Sequence, residues 1–129
     1  MIVVDSSVWI AKLRNVSNAA TERFNAIRDT DEIIVGDIVL LEVLQGARDD
    51  RDAARLEYYL RSFRIARMMD PELAVRTAES FRQLRSKGIT IRKTVDLAIG
   101  TFCIDRGYRL LHNDRDFSPM VEHLGLRVT

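Results

Sequence analysis

Five acidic residues stand against apolar runs, where water solvates a charge poorly. Asp5 closes Ile2-Val3-Val4, and Glu42 sits between Val39-Leu40-Leu41 and Val43-Leu44. Asp96 opens Leu97-Ala98-Ile99. Asp114 and Asp116 lie between Leu110-Leu111-His112 and Phe117. A carboxylate pressed against a core is costly unless something pairs it. Acids from four distant segments that meet around one charge form the oxygen donor set for a hard divalent cation, most simply Mg2+ or else Mn2+. The chemistry that wants such a set is phosphodiester hydrolysis, in which the metal lowers the pKa of a water and no side-chain nucleophile is needed. Each acid also has a structural reading. Asp5 with Ser6 and Ser7 could cap a helix, and Asp96 could be an ordinary first-turn acid. Asp114-Arg115-Asp116 could be a solvated turn, and Glu42 could be held by a Lys or Arg.

The elements that must carry these acids can be read from hydrophobic periodicity. Met1 to Val4 predicts a buried strand, followed by a helix through Val8 to Leu13 capped by Ser6 or Ser7. Asn18 to Arg28 predicts a helix, and Ile33 to Val35 a second strand. Asp37 is placed to cap the helix carrying Glu42, which ends at Gln45-Gly46. Asp50 to Phe63 predicts a helix and Ile65 to Met69 a third strand. Asp70-Pro71 starts a helix that Gly88 stops. Thr94 to Arg106 is apolar almost all round, so it should be a central helix. Arg109 to His112 predicts a fourth strand, Met120 to Leu124 a short helix, and Leu126 to Val128 a last strand. Short apolar strands alternating with helices imply an α/β fold, with helices on both faces of a parallel sheet. In such a sheet ligands collect at the carboxyl ends of the strands. That rule brings Asp5, Glu42, Asp96, Asp114 and Asp116 to one rim.

Composition narrows the partners. Twenty Lys and Arg balance 19 Asp and Glu, so there is no global pull toward a polyanion. Locally the charge segregates: Arg82, Arg85, Lys87, Arg92 and Lys93 occur between Glu79 and Asp96 with no acid among them. Arg92 and Lys93 immediately precede the helix of Asp96, where they can flank the metal and guide a polyanion to it. The single cysteine, Cys103, excludes an intrachain disulfide and a cysteine-rich zinc site. Asp5 interrupts the N-terminal apolar stretch, and no uncharged run approaches the roughly 20 residues of a membrane span. The expectation is a single domain over residues 1–129, cytoplasmic, with no membrane partner.

The blocks Ile2 to Ile10, Val39 to Gly46, Asp96 to Gly100 and Asn113 to Phe117 together resemble a PIN domain of the VapC toxin type, in order and across essentially the whole chain. That resemblance implies a PIN-like three-layer α/β/α sandwich around a mostly parallel central sheet. It implies a Mg2+-dependent endoribonuclease, the toxin of a type II toxin–antitoxin module. Asp5, Asp96 and Asp114 would be direct or water-mediated metal ligands. Glu42 would complete the acidic pocket, Asp116 would be an auxiliary acid, and Ser6 would support the site. The partners implied are RNA, a VapB-like antitoxin and a second copy of the chain. Trp9, Leu13, Tyr58 and Tyr59 are candidate interface residues, with core packing as their other role. One position departs from the family, since His112 stands where Thr or Ser is common.

Other readings compete. A haloacid-dehalogenase-type site needs Asp where Ser7 stands, and a response-regulator receiver needs a Lys that Arg109 to Phe117 lacks. A degenerate PIN domain that binds without cutting would have lost one of the acids, and all are present. A metal-free ribonuclease would use His112 and His123 as acid and base, leaving different product ends.

Overall fold

The computed structural model describes residues 1–129. Five strands form one all-parallel sheet: β1 (Ile2–Val4), β2 (Ile33–Gly36), β3 (Arg64–Ala66), β4 (Arg109–Leu111) and β5 (Arg127–Val128), in the order β3-β2-β1-β4-β5. Register is set by Ile2 opposite Ile33, Val3 opposite Leu110 and Val4 opposite Leu111. β2 is buried along its whole length, as expected of a parallel strand covered on both faces. The chain leaves β1 in one direction to β2 and β3, then returns past β1 to β4 and β5. Right-handed crossovers therefore put the helices after β1 and β2 on one face and those after β3 and β4 on the other.

On the first face lie α1 (Ser6–Leu13), α2 (Ala19–Asn25), α3 (Asp37–Gln45) and α4 (Asp50–Leu60), with α3 packed on both α1 and α4. On the second lie α5 (Pro71–Ser86), α6 (Thr94–Arg106) and α7 (Ser118–Leu124), which pack on one another. The sandwich and the parallel sheet match the expectation, and the sheet is parallel throughout. A cluster of 26 buried apolar residues fills the space between the layers. α6 is buried from Asp96 to Cys103, so the helix read as central is central. Gly100 permits this, because a Cβ there would run into Met120 on α7. Gly107, at φ +68°, ends α6 and turns the chain into β4.

Several boundaries differ from expectation for identifiable reasons. α1 begins at Ser6 and its cap is Asp5 itself, whose carboxylate accepts from the Ser7 amide. The serines are inside the helix, not its cap. Asp37 is likewise the first residue of α3, and Gly36 takes the cap position. The Asp37 carboxylate accepts from the amides of Ile38 (2.9 Å) and Met68 (3.0 Å), tying α3 to the segment after β3. α4 stops at Leu60, where Ser62 Oγ donates to the Tyr59 carbonyl. β3 ends at Ala66 because its partner β2 ends at Gly36, leaving nothing further to pair. α7 starts earlier than expected, at Ser118, with Pro119 in its first turn.

Trp9 does not belong to an exposed face. It is 0% exposed, donates Nε1 to the Val4 carbonyl at 3.1 Å, and packs its ring against Phe24, Tyr59 and Phe63. Leu13 and Tyr59 pack partly buried against the core, and only Tyr58, at 85% exposure, remains free as read. No helix is long and apolar enough to cross a membrane.

Candidate functional site

The acids reach one rim by four routes, two from strand ends and one from each face of the sheet. Asp5 follows β1 directly. Its amide donates to the Leu111 carbonyl at 2.9 Å, so the ends of β1 and β4 are locked side by side. As the cap of α1, Asp5 is held through Oδ2 alone, which accepts from the Ser7 amide (3.0 Å) and Ser7 Oγ (2.6 Å). Oδ1 is buried and has no partner. Glu42 enters from α3 and accepts from Ser6 Oγ at 3.2 Å. Asp96 enters from the first turn of α6 on the opposite face, and its Oδ2 is also buried and unpaired. Asp114 follows β4, caps the 3-10 turn Arg115–Phe117, and accepts the Asp116 amide on Oδ1 at 2.9 Å.

These placements bring carboxylate oxygens of Asp5, Glu42 and Asp96 within 4.8 Å of one another, and likewise those of Asp96, Asp114 and Asp116. Asp96 is common to both groups. All five acids read from the sequence converge, and Ser6 touches one of them. Burial and mutual repulsion show in the proton affinities. Asp96 is pushed up to about 7, first by burial and then by Asp5. Asp5 is raised by burial, partly offset by the Ser7 hydroxyl and amide. Glu42 is raised by burial and by Asp5. Burial and repulsion thus favour the protonated forms of these acids, while a bound cation would favour their ionisation.

The donor set fits a hard divalent cation. It consists of oxygens only, and two carboxylate oxygens of these residues, Asp5 Oδ1 and Asp96 Oδ2, are buried without a hydrogen bond. A buried unpaired carboxylate oxygen is costly, and an ion is the partner that would satisfy both at once.

Two groups outside the five acids fix this geometry: Ser7, whose bonding the sequence left open, and His112, the departure from the family pattern. Ser7 Oγ, besides donating to Asp5, accepts the Asn113 amide at 3.0 Å. One hydroxyl therefore joins the acid after β1 to the loop of the acid after β4. The hydroxyl pair after Asp5 was visible in the sequence; which member would bond to which acid was not. His112 accepts the Asp114 amide on Nδ1 at 3.1 Å and packs against Phe117, ring centres 4.9 Å apart and planes tilted by 47°. Its imidazole is half-buried, and burial pulls its pKa down. His112 thus holds the Asp114 loop as a neutral ring. His123 lies elsewhere, beside Glu122 on α7 and in a cavity with Arg76 and Asp105. The two histidines line different cavities, so they do not form an acid–base pair. Cys103 is buried, and burial pushes its thiol up to about 12, which leaves it inert.

A cleft of about 940 Å³ opens from Asp114 and Asp116. Arg92, Lys93 and Arg115 line it with Thr90, Asn113 and Ser118, and Ile91 is its one hydrophobic wall residue. Lys93 Nζ lies 3.7 Å from Asp114 Oδ2. The two cations singled out before α6 do reach the acidic rim.

A parallel α/β sandwich whose chain reversal carries buried carboxylates from both faces has the build of a metal-assisted phosphodiesterase. The family model for the PIN domain matches residues 2–121, and the chain belongs to that family. It is 27% identical over 129 residues to VapC ribonuclease Mb1587 of Mycobacterium bovis and to Ribonuclease VapC11 of Mycobacterium tuberculosis. These alignments cover 98% of this chain and 96% of each relative. The fold is similar to that of a chain in the DNA-bound VapBC structure from Salmonella typhimurium, with TM-score 0.78, 23% identity, and 99% and 96% of the two chains covered. It is also similar to VapC20 of Mycobacterium tuberculosis, described as a sarcin-ricin loop cleaving toxin, with TM-score 0.69, 21% identity, and 98% and 99% covered.

Proposed function

We propose that this chain, as a single PIN domain, is a divalent-metal-dependent endoribonuclease and the toxin of a type II toxin–antitoxin pair. The observation that carries the reading is the pair of buried, unpaired oxygens, Asp5 Oδ1 and Asp96 Oδ2, within a five-acid cluster at the chain reversal of the sheet. The ribonuclease names of the two mycobacterial relatives support the substrate class.

In this reading Asp5, Asp96 and Asp114 hold Mg2+, or Mn2+ in its place, with Glu42 and Asp116 completing the cluster. The ion would supply a water of lowered pKa and a positive charge for the scissile phosphate. Ser6 keeps Glu42 turned toward the cluster, and Ser7 keeps Asp5 in a single rotamer. His112 fixes the backbone that aims Asp114. Arg92 and Lys93 line the polar cleft, where they would pair with phosphates of an incoming single strand. The His112 imidazole is the one aromatic ring on the cleft wall, so base stacking there has only that ring to use.

An antitoxin and a second copy of the chain are the remaining proposed partners, with Tyr58 the exposed aromatic anchor available to either. Light scattering of the isolated chain, alone and with the product of an adjacent small gene, tests both.

The activity test is cleavage of an unstructured RNA with Mg2+, with EDTA, and by the Asp5→Asn variant. Hydrolysis by water should leave a 5′ phosphate and a 3′ hydroxyl, and EDTA and Asp5→Asn should each stop it. A 2′,3′-cyclic phosphate, or undiminished cutting in EDTA, would sink the proposal.

A further inference from the structure

Five of the seven helices open on an acid, amide or glycine cap: Asp5, Asn18, Gly36, Asp49 and Asp70. α6 opens on Lys93, with no side-chain bond to its free amides. Lysine is a poor cap, and its charge opposes the positive end of the helix dipole. A local rule broken beside an acid cluster points to a use for the broken position.

That use can be read from the oxygens of Asp114. Oδ1 is occupied by the Asp116 amide, and Oδ2 faces the Lys93 ammonium at 3.7 Å. Asp5 and Asp96 each keep a free buried oxygen for an ion, whereas an ion reaching Asp114 Oδ2 meets the ammonium already paired with it. Lys93 can withdraw, because its side chain is 61% exposed and its contact with Asp114 is its one ion pair. The electrostatics agree: the lysine is held charged by Asp96 foremost, then Asp114, and it in turn eases the ionisation of Asp96 and Glu42.

We propose that Lys93 is an internal counter-ion of the acid cluster: its ammonium neutralises Asp114 when no divalent ion is bound, and leaves Oδ2 when one enters. Lys93 therefore competes with the metal and sets the concentration at which the site fills. The ammonium that leaves stays in the cleft, where the phosphates of a single strand would meet it. This inference rests on the proposed metal site and adds a regulating residue to it.

The test needs no RNA. Divalent binding is measured calorimetrically with Mn2+ for the wild type and for Lys93→Met, which keeps the stem and removes the charge. The full-length protein is also melted in EDTA. Lys93→Met should bind Mn2+ roughly three- to tenfold more tightly, the scale expected for releasing one exposed ion pair within a charged cluster. In EDTA at pH 8 it should melt below the wild type, because the acids have lost their counter-charge. Lys93→Arg should restore the melting temperature. Arg92→Met removes the same charge from the same cleft without touching Asp114, and should change Mn2+ affinity less than about twofold. Equal gains from Arg92→Met and Lys93→Met would overturn the assignment in favour of a general field, as would unchanged or weaker Mn2+ binding by Lys93→Met. If the wild type takes up no Mn2+ at all, the metal site fails. The counter-ion role is then decided by the melting data, and equal melting of Lys93→Met and wild type in EDTA refutes it.

Discussion

Replacing Asp96 by Asn should make the metal-free protein more stable, by an amount that depends on pH in a defined direction. In the folded chain the Asp96 carboxyl titrates at about 7, against an ordinary value of 3.8. A raised carboxyl pKa means that the folded state holds its proton more tightly than the unfolded state. Its contribution is complete below pH 3.8, declines as pH rises, and is gone above about 7. Over that window the wild type loses at most about 4 kcal/mol. The neighbouring cleft admits water and Lys93 lies close by, so screening reduces this to about 2 kcal/mol. Asn keeps the volume and carries no charge, so the variant escapes the loss. In EDTA at pH 8 it should gain about 2 kcal/mol, or roughly 6–10 °C in Tm for a chain of this size. At pH 4 the gain should shrink toward zero, because Asp96 is then protonated in the folded wild type. Saturating Mg2+ should stabilise the wild type much more than the variant, since ligand binding to the native state adds to stability. Denaturant melts at the two pH values, with and without EDTA, supply all the numbers. A variant that melts below wild type at pH 8 in EDTA, or gains equally at pH 4, would refute the reasoning.

Further outcomes follow from other contacts. Ser7→Ala removes one hydroxyl from both Asp5 and the Asn113 amide, and should cost about 1–2 kcal/mol in urea denaturation as well as most of the RNA cleavage rate. Trp9→Ala empties a fully buried site and should cost about 3–5 kcal/mol, whereas an interface residue would show little loss in the same melt. Arg92→Gln should weaken RNA binding and flatten the slope of log K against log salt by about 0.7 for one phosphate contact, measured by fluorescence anisotropy with an uncleavable RNA. An unchanged slope would remove Arg92 from the RNA path.

The layers of this fold were legible because parallel strands are buried on both faces and read as short apolar runs. β1, β2 and β4 declared themselves in this way, as did α6 through its nearly continuous apolar surface. The acids were legible for the complementary reason: a charge beside such a run demands a partner. Local capping was less legible. Asp5, Ser6 and Ser7 are each competent to cap α1, and tertiary contacts decide among them: Ser6 turns to Glu42, and Ser7 reaches Asn113 across 106 positions of sequence. Trp9 was legible as either an interface or a core aromatic, because periodicity cannot reveal that Phe24, Tyr59 and Phe63 close over it. The unpaired oxygens of Asp5 and Asp96 were invisible for the same reason, since a missing hydrogen bond belongs to the assembled site and to no single segment.

The most direct test of the central claim is where a divalent ion sits. Crystals of the protein equilibrated with Mn2+ and measured near the manganese absorption edge should show an anomalous peak bounded by Asp5 Oδ1 and Asp96 Oδ2, with Asp114 Oδ2 turned toward it and Lys93 displaced. The same crystals of the Asp96→Asn variant should lose that peak. Saturating Mn2+ with no peak among these acids, or a peak that survives Asp96→Asn at full height, would contradict the account.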